Sequence, residues 1–310
     1  MNGIRIVSTG RALPSKVVTN DEMSKIVDTS DEWISTRTGI RQRYFCDGEM
    51  NWQLAVESAK KAIRNIDKKE IGAVIVATFS PDYAFPSVAC LVQKELGLRC
   101  DIMSFDINAA CTGFLYALNV AEGLLRSSGE KYALVIGSEQ ISTRLNMEDR
   151  GTCVLFGDGA GAAIVEKSES DNYACVMGSD GDLEALVCPG QALENQYIAM
   201  DGKKVFKFAV GTVGKVINEL LDKTNNTIND IDYVVCHQAN ERIIKSIIKQ
   251  FDCNPDKFYM NMQEYGNTSA ASIPMALDEM YEKGLLTSGK KIISVGFGAG
   301  FTWGGMLLEC

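Results

Sequence analysis

The chain has 310 residues and a mass of 33.8 kDa, so it holds one large domain or two joined ones, and a composition of 46% apolar and 23% charged residues excludes a mainly disordered state. Its 31 basic and 40 acidic side chains give a net charge of −9, the wrong sign for a general nucleic-acid binder, and a single histidine argues against a histidine-based metal site. The 10 cysteines are scattered without a C-x-x-C pair, no apolar run reaches the ~20 residues of a membrane helix, and the first residues lack a signal-peptide core, so the expectation is a cytoplasmic protein with no membrane contact and no metal.

In chain order, Trp33 falls on a short helix that starts near Ser30 or Asp31, where it is either a packed aromatic or a ligand platform. Residues 74–77 form a short continuous apolar run, the pattern of a strand covered on both faces. Cys111 opens a helix over 111–125, with Phe114, Leu115, Leu118, Ala121 and Leu125 on one side. A thiol at a helix N-terminus meets unpaired N–H groups that favour the thiolate, so Cys111 is either a nucleophile or an inert buried thiol. Residues 133–136 read as the next strand. Gly157-Asp-Gly-Ala-Gly161 is similar to a dinucleotide fingerprint, but residues 162–166 read as a strand and not as the helix that fingerprint requires. A tight strand connection is the better reading.

The second part of the chain repeats the alternation. The strand at 234–236 delivers His237 to its exit, where catalytic loops gather, although a lone histidine is more often structural. The helix behind it carries Arg242, Lys245 and Lys249 at i, i+3 and i+7, opposite Ile243, Ile244, Ile247, Ile248 and Phe251. That basic stripe is either a docking face or a solvated one. Asn267, after Gly266, reads alone as a turn or a helix cap. A helix follows over 270–280, a strand over 292–295, and then a second tight connection, Gly296-Phe-Gly-Ala-Gly300.

The alternation is a duplication. Ile71-Gly-Ala-Val-Ile-Val-Ala77 resembles Ile231-Asp-Tyr-Val-Val-Cys-His237, and Gly129-Glu-Lys-Tyr-Ala-Leu-Val-Ile136 resembles Gly289-Lys-Lys-Ile-Ile-Ser-Val-Gly296; 231 − 71 and 289 − 129 are both 160. Two halves follow, near 1–168 and 169–310, without a linker and so packed together. Alanine stands at 77 where His237 stands in the second copy, so the scaffold does not require an imidazole there. A cysteine, a histidine and an asparagine together permit one chemistry: a thiolate attacks while two neutral donors hold an oxyanion.

The segments around Cys111 (Asn-Ala-Ala-Cys-Thr-Gly-Phe), His237 (His-Gln-Ala-Asn-Glu-Arg), Asn267 (Gly-Asn-Thr-Ser-Ala-Ala-Ser-Ile-Pro) and 296–304 carry a resemblance, joined by 31–40 and Phe156-Gly-Asp-Gly-Ala-Gly-Ala-Ala163. Together they resemble the β-ketoacyl-acyl carrier protein synthase III family, the initiating condensing enzymes of fatty acid synthesis. The resemblance implies an α/β thiolase-like fold of two duplicated halves, each with a mixed, mostly parallel sheet, layered α-β-α-β-α, and a homodimer. It implies a Cys111–His237–Asn267 triad that condenses an acyl-coenzyme A primer with malonyl-acyl carrier protein through an acyl-enzyme, with no cofactor. It further implies an oxyanion hole from the backbone N–H groups of Cys111 and Ala299, where better-known members carry glycine. Coenzyme A contacts fall to Trp33, Arg37, Arg150 and Asn240, acyl-pocket roles to Phe85 and Phe297, and carrier-protein docking to Arg242, Lys207, Lys245 and Lys249. Loops at 141–150 and 190–200 would shape the pocket. A related condensing enzyme of secondary metabolism is the alternative.

Overall fold

The computed structural model describes residues 3–190 and 193–310, so residues 191 and 192 of the pocket loop at 190–200 lie outside the described residues. Strands β1 (Gly3–Ala12), β2 (Ile71–Ala77), β3 (Met103–Ile107), β4 (Tyr132–Glu139) and β5 (Gly159–Ser168) form one sheet in the order β1-β5-β4-β2-β3. Strands β6 (Ala174–Ser179), β7 (Tyr233–Cys236), β8 (Phe258–Tyr259), β9 (Lys291–Gly298) and β10 (Thr302–Glu309) form a second sheet in the order β6-β10-β9-β7-β8. The two orders are the same path drawn twice. In the first sheet β4, β2 and β3 pair in parallel, and β5 runs antiparallel between β4 and β1, so four strands share one direction.

The continuous apolar runs arise because both faces of each sheet are covered. In β2, Ala73, Ile75 and Ala77 face a central layer, while Val74 and Val76 face an outer layer with Ala55, Ala59, Val88 and Val92. The central layer consists of the helices Gly113–Ser128 and Ser272–Glu282. The sequence places the first at 111–125; its buried face carries Phe114, Leu115, Leu118, Ala121 and Leu125 as expected. Fully burying each of the larger ones stabilises the fold by about 1.5–3 kcal/mol. The second helix is buried on every side from Ser272 to Met280, because a sheet lies on either side of it. On the far side, Val213, Ile217 and Leu220 of the helix Gly202–Thr224 and Ile243, Ile244 and Ile247 of the helix Glu241–Ile248 cover Val234, Ile293, Val295 and Leu307. The stack is α-β-α-β-α.

Two expectations are corrected. Matching Gly129 with Gly289 gives an offset of 160, but Leu134 and Ile136 face the outer layer as Ile293 and Val295 do, while Ala133 and Val135 face the centre as Ile292 does. Side-chain direction therefore matches 134 with 293, an offset of 159, since a one-residue slip would turn every side chain to the other face. The glycine-rich pieces also differ. Gly298 pairs with Thr302 across a tight β9–β10 turn, as expected, whereas Gly157 lies near the end of a long connection over 140–158 and Gly159 opens β5. Among the described residues, no helix is long and apolar enough to cross a membrane.

Candidate active site

Cys111 sits in a turn of 3₁₀ helix, Ala110–Thr112, that leads into the helix Gly113–Ser128. Ala110 has φ 47°, a left-handed conformation that an alanine adopts only under constraint. The constraint is local: Asn108 Oδ1 accepts the Ala110 N–H at 3.0 Å. The second copy builds the same turn. Ser269 has φ 49°, and Asn267 Oδ1 accepts its N–H at 2.9 Å. The offsets 269 − 110 and 267 − 108 are both 159, so Asn267 is the structural counterpart of Asn108. Spending Oδ1 on this turn leaves the Asn267 amide N–H groups for other partners. The Asn267 backbone is held in turn by the first half, through Asn267 N–Leu155 O at 2.9 Å and Gly157 N–Asn267 O at 3.0 Å.

His237 follows β7 and is 2% exposed. Its Nδ1 lies 2.6 Å from Ser272 Oγ, which also receives the Gln238 N–H at 3.4 Å. The Phe297 ring meets the imidazole edge-on, with centroids 5.5 Å apart. Burial pulls the His237 pKa down to about 3, so the imidazole is neutral at pH 7. Ser272 and Ser269 are functional neighbours that sequence reasoning missed, although both stand inside the Asn267 motif.

The three residues, drawn from the two halves, share one cavity. Cys111, His237 and Asn267 line one cavity of about 210 Å³, which runs out past Phe297 to Trp33 and Arg150. A second cavity, of about 670 Å³, also reaches Cys111 and is lined by Phe79, Tyr83 and Ala299; Phe156 and Leu186 border both. Burial pushes the Cys111 thiol up to about 12; the Ser269 hydroxyl and the cysteine's own N–H pull the other way. Desolvation thus works against the thiolate that the helix end favours. The close approach of β9 needs a glycine at 298, because a Cβ there would lie 2.8 Å from Cys111 N. Thr112 Oγ1 and Thr302 Oγ1, 2.6 Å apart, tie the Cys111 turn to the same hairpin.

The remaining expected residues divide. Ala299 lines the larger cavity, and the non-glycine residues with positive φ among those described are Ala110, Asn225 and Ser269, so alanine is unstrained at 299. The Trp33 helix starts at Ser30, whose Oγ accepts the Trp33 N–H. The Arg37 and Arg150 guanidinium carbons each lie 4.6 Å from the Trp33 ring centroid. Asn240 borders the smaller cavity but caps the helix Glu241–Ile248 with its Oδ1 and donates to Arg37 O at 3.1 Å. Phe297 lines the Trp33 side and not the larger cavity, because its ring is packed on His237. Phe85 is 85% exposed and lines neither cavity of its own chain. Arg242, Lys245, Lys249 and Lys207 are all exposed; Lys245 pairs with Glu241 at 2.9 Å, and Arg242 Nε donates to Thr36 O at 3.1 Å.

Residues 105–181 match the family described as 3-oxoacyl-[acyl-carrier-protein (ACP)] synthase III, and residues 221–310 match its C-terminal part. The chain is 48% identical to the "Beta-ketoacyl-[acyl-carrier-protein] synthase III" of Clostridium novyi (strain NT), an alignment that covers 100% of this chain and 99% of that one. The chain belongs to the β-ketoacyl-[acyl-carrier-protein] synthase III family. The relative of that name in Clostridium acetobutylicum is also 48% identical, over 100% of this chain and 99% of its own. The crystal structure of 3-oxoacyl-[acyl-carrier-protein] synthase III from Aquifex aeolicus VF5 superposes with a TM-score of 0.94 at 43% identity, covering 99% of this chain and 100% of that one. Membership makes the chain a condensing acyltransferase with the thiolase fold.

Proposed function

We propose that this enzyme joins an acyl-coenzyme A primer to malonyl-acyl carrier protein, with Cys111, His237 and Asn267 as its catalytic residues. The observation that carries the reading is that these three residues, from both copies of the duplication, line one cavity. Cys111 attacks the primer thioester; the S–C bond to the enzyme forms and coenzyme A leaves as its thiolate. Malonyl-carrier protein then loses CO₂, and the resulting enolate attacks the acyl-enzyme carbonyl, giving a 3-oxoacyl product and freeing the sulfur. His237 and Asn267 donate to the enolate oxygen. In this reading the Ser272 hydroxyl, 2.6 Å away, donates to Nδ1, which leaves the imidazole proton on Nε2. A neutral donor suits a site that excludes water.

Backbone N–H groups of Cys111 and Ala299 hold the acyl-enzyme oxygen in this reading. Trp33, Arg37, Arg150 and Asn240 receive coenzyme A; with Arg150 stacked 4.6 Å from the indole centroid, adenine enters only by displacing that guanidinium. Arg242, Lys207, Lys245 and Lys249 dock the acidic carrier. The exposed Phe85 belongs to a homodimer contact that closes the partner subunit's pocket. The reaction needs no resident cofactor, the halves divide near 168, and the compartment is the cytoplasm. The test is intact-mass detection of an acyl adduct across a panel of acyl-coenzyme A primers, with Cys111→Ser as control, followed by addition of malonyl-carrier protein. An adduct confined to wild type and discharged by the carrier is expected. Absence of any adduct refutes the assignment.

A further inference from the structure

The two backbone donors of the proposed oxyanion hole belong to separate loops. Cys111 N lies in the turn Ala110–Thr112 of the first half, and Ala299 N in the β9–β10 turn of the second. Such a hole works only if its donors are held in place before charge develops between them. Gly298 packs β9 against Cys111 N, but Ala299 and Gly300 lie beyond the last ladder pair, Gly298–Thr302. The outer side of their turn is held elsewhere: Asp180 N–H and Asp182 N–H donate to Phe301 O and Gly300 O. Among the described residues, the hydrogen bonds that cross from this turn to the Cys111 turn all involve Thr302 Oγ1. Thr302 shares a sheet face with Met306 and Leu308, the face that looks onto the central layer. Its Oγ1 lies 2.6 Å from Thr112 Oγ1, 3.1 Å from Ala299 O and 3.1 Å from Ala109 O. At 2.6 Å one of the two hydroxyls must donate to the other. The pair thus links the residue after Cys111 to the carbonyl of the residue that supplies the second N–H. The other copy shows that the fold does not require this link. At the offset of 159, Thr112 corresponds to Ala271, and the ladder pair Gly298–Thr302 corresponds to Glu139–Gly159. The same left-handed turn is therefore built at Ser269 with alanine and glycine in place of the two threonines.

We propose that Thr302, acting with Thr112, is a positioning residue that sets the spacing of the Cys111 and Ala299 N–H donors. The inference rests on the oxyanion hole of the proposed reaction. Neither hydroxyl touches the reacting carbonyl or gives up its proton. When Cys111 attacks the thioester, the carbonyl oxygen gains negative charge, and both N–H groups must already point at it. Without the threonine link the Ala299 end of the hole drifts. That weakens the transition state and leaves primer binding unaltered, because the hole is complementary to the oxyanion and not to the resting thioester. Thr302 also lines the larger cavity, whereas Thr112 is fully buried and lines neither cavity. A matching loss in variants of both residues therefore belongs to the bond between them and not to contact with the primer.

The test is acyl-enzyme formation from acetyl-coenzyme A, followed by quenched-flow mass spectrometry over a range of primer concentrations. Beside it, peptide mass gives the rate at which iodoacetamide alkylates Cys111, a reaction that needs the sulfur but no oxyanion. Thr302→Val keeps the side-chain shape and removes the hydroxyl, Thr302→Ser keeps the hydroxyl, and Thr112→Ala installs the residue that the other copy carries at 271. The valine and alanine variants are expected to lose at least about fivefold in maximum acylation rate, with half-saturation and alkylation unchanged. Thr302→Ser is expected to recover most of that rate. If Thr302→Val does not fold, Thr112→Ala and Thr302→Ser decide. A smaller loss in a folded variant, alkylation slowed in step with acylation, a loss carried by half-saturation, or a serine variant as slow as the valine one would overturn the proposal. A wild-type enzyme that never gains the acyl mass overturns the synthase reading itself, which is a separate result from unaltered variants of an active enzyme.

Discussion

Replacing His237 by alanine separates the two halves of the reaction. The imidazole is neutral, almost fully desolvated, and fixed through Nδ1 by Ser272. A preorganised donor to a developing oxyanion in such a place is worth about 2.7–4 kcal/mol, a 10²–10³-fold rate effect. Losing the edge-on contact with Phe297 costs a further ~0.5–1.5 kcal/mol of stability, which does not alter the rate of a chain that remains folded. Carrier-dependent CO₂ release should therefore fall by about two to three orders of magnitude. The acylation burst should change by less than about threefold if, as proposed, its oxyanion is held by backbone N–H groups. Ser272→Ala should lie between, about tenfold down, since it frees the ring without removing it. The assay is labelled CO₂ release from malonyl-carrier protein set beside intact-mass acylation on the same preparation. Acylation and decarboxylation falling together, or decarboxylation reduced less than tenfold, would refute the donor role.

Arg242→Ala should raise the KM for malonyl-carrier protein several-fold and steepen no other step; an equal loss in acylation from acyl-coenzyme A would remove its docking role. Gly298→Ala puts a Cβ 2.8 Å from Cys111 N, so the nucleophile turn must shift, and acylation should drop at least about tenfold while thermal unfolding stays cooperative. Unchanged acylation would show that the turn tolerates displacement. Burial also links His237 to acid stability. Its folded pKa is about 3 against an ordinary 6.5, so the unfolded chain binds the extra proton. That contribution is complete above pH 6.5 and declines by about 1.4 kcal/mol per unit as pH falls toward 3. The stability gap between wild type and His237→Gln, measured by denaturant titration, should therefore narrow or reverse in acid; a gap constant from pH 7 to 4 would contradict the buried neutral ring.

Much of the architecture was legible because sheets covered on both faces leave uninterrupted apolar runs, and those at 74–77, 133–136, 234–236 and 292–295 all became strands. The repeat was legible too, but its register was not: Gly129 and Gly289 both end a segment in positive φ, while the strands that follow them differ by one residue in facing. Only the pleat decides that, and glycine matching is blind to it. Cys111 and His237 stood out as candidates from their local settings, whereas Asn267 alone read as a turn or a helix cap and joined them through the resemblance. The contacts of Ser272 and Glu139 could not be read there, since their partners His237, Thr78 and Ser80 are distant in the chain. One signal for Glu139 was present: a carboxylate closing a strand as apolar as 133–136 calls for an explanation. The basic stripe is exposed, but the hold of Arg242 on Thr36 O depends on how the Trp33 helix meets the Arg242 helix, whereas the Lys245–Glu241 pair lies within one helix.

The paired left-handed turns at Ala110 and Ser269 bear on how such an enzyme could arise. An ancestral homodimer would have set two identical bends face to face across its symmetry axis, with the reactive pocket on the axis itself. After fusion, one bend would have been free to present sulfur, Cys111 standing where the other copy has Ala270, while both kept their asparagine, Asn108 and Asn267, on an unaltered backbone. Division of labour then makes the halves mutually dependent. Neither expressed alone would contain a competent centre, whereas co-expressed fragments that re-associate should regain one.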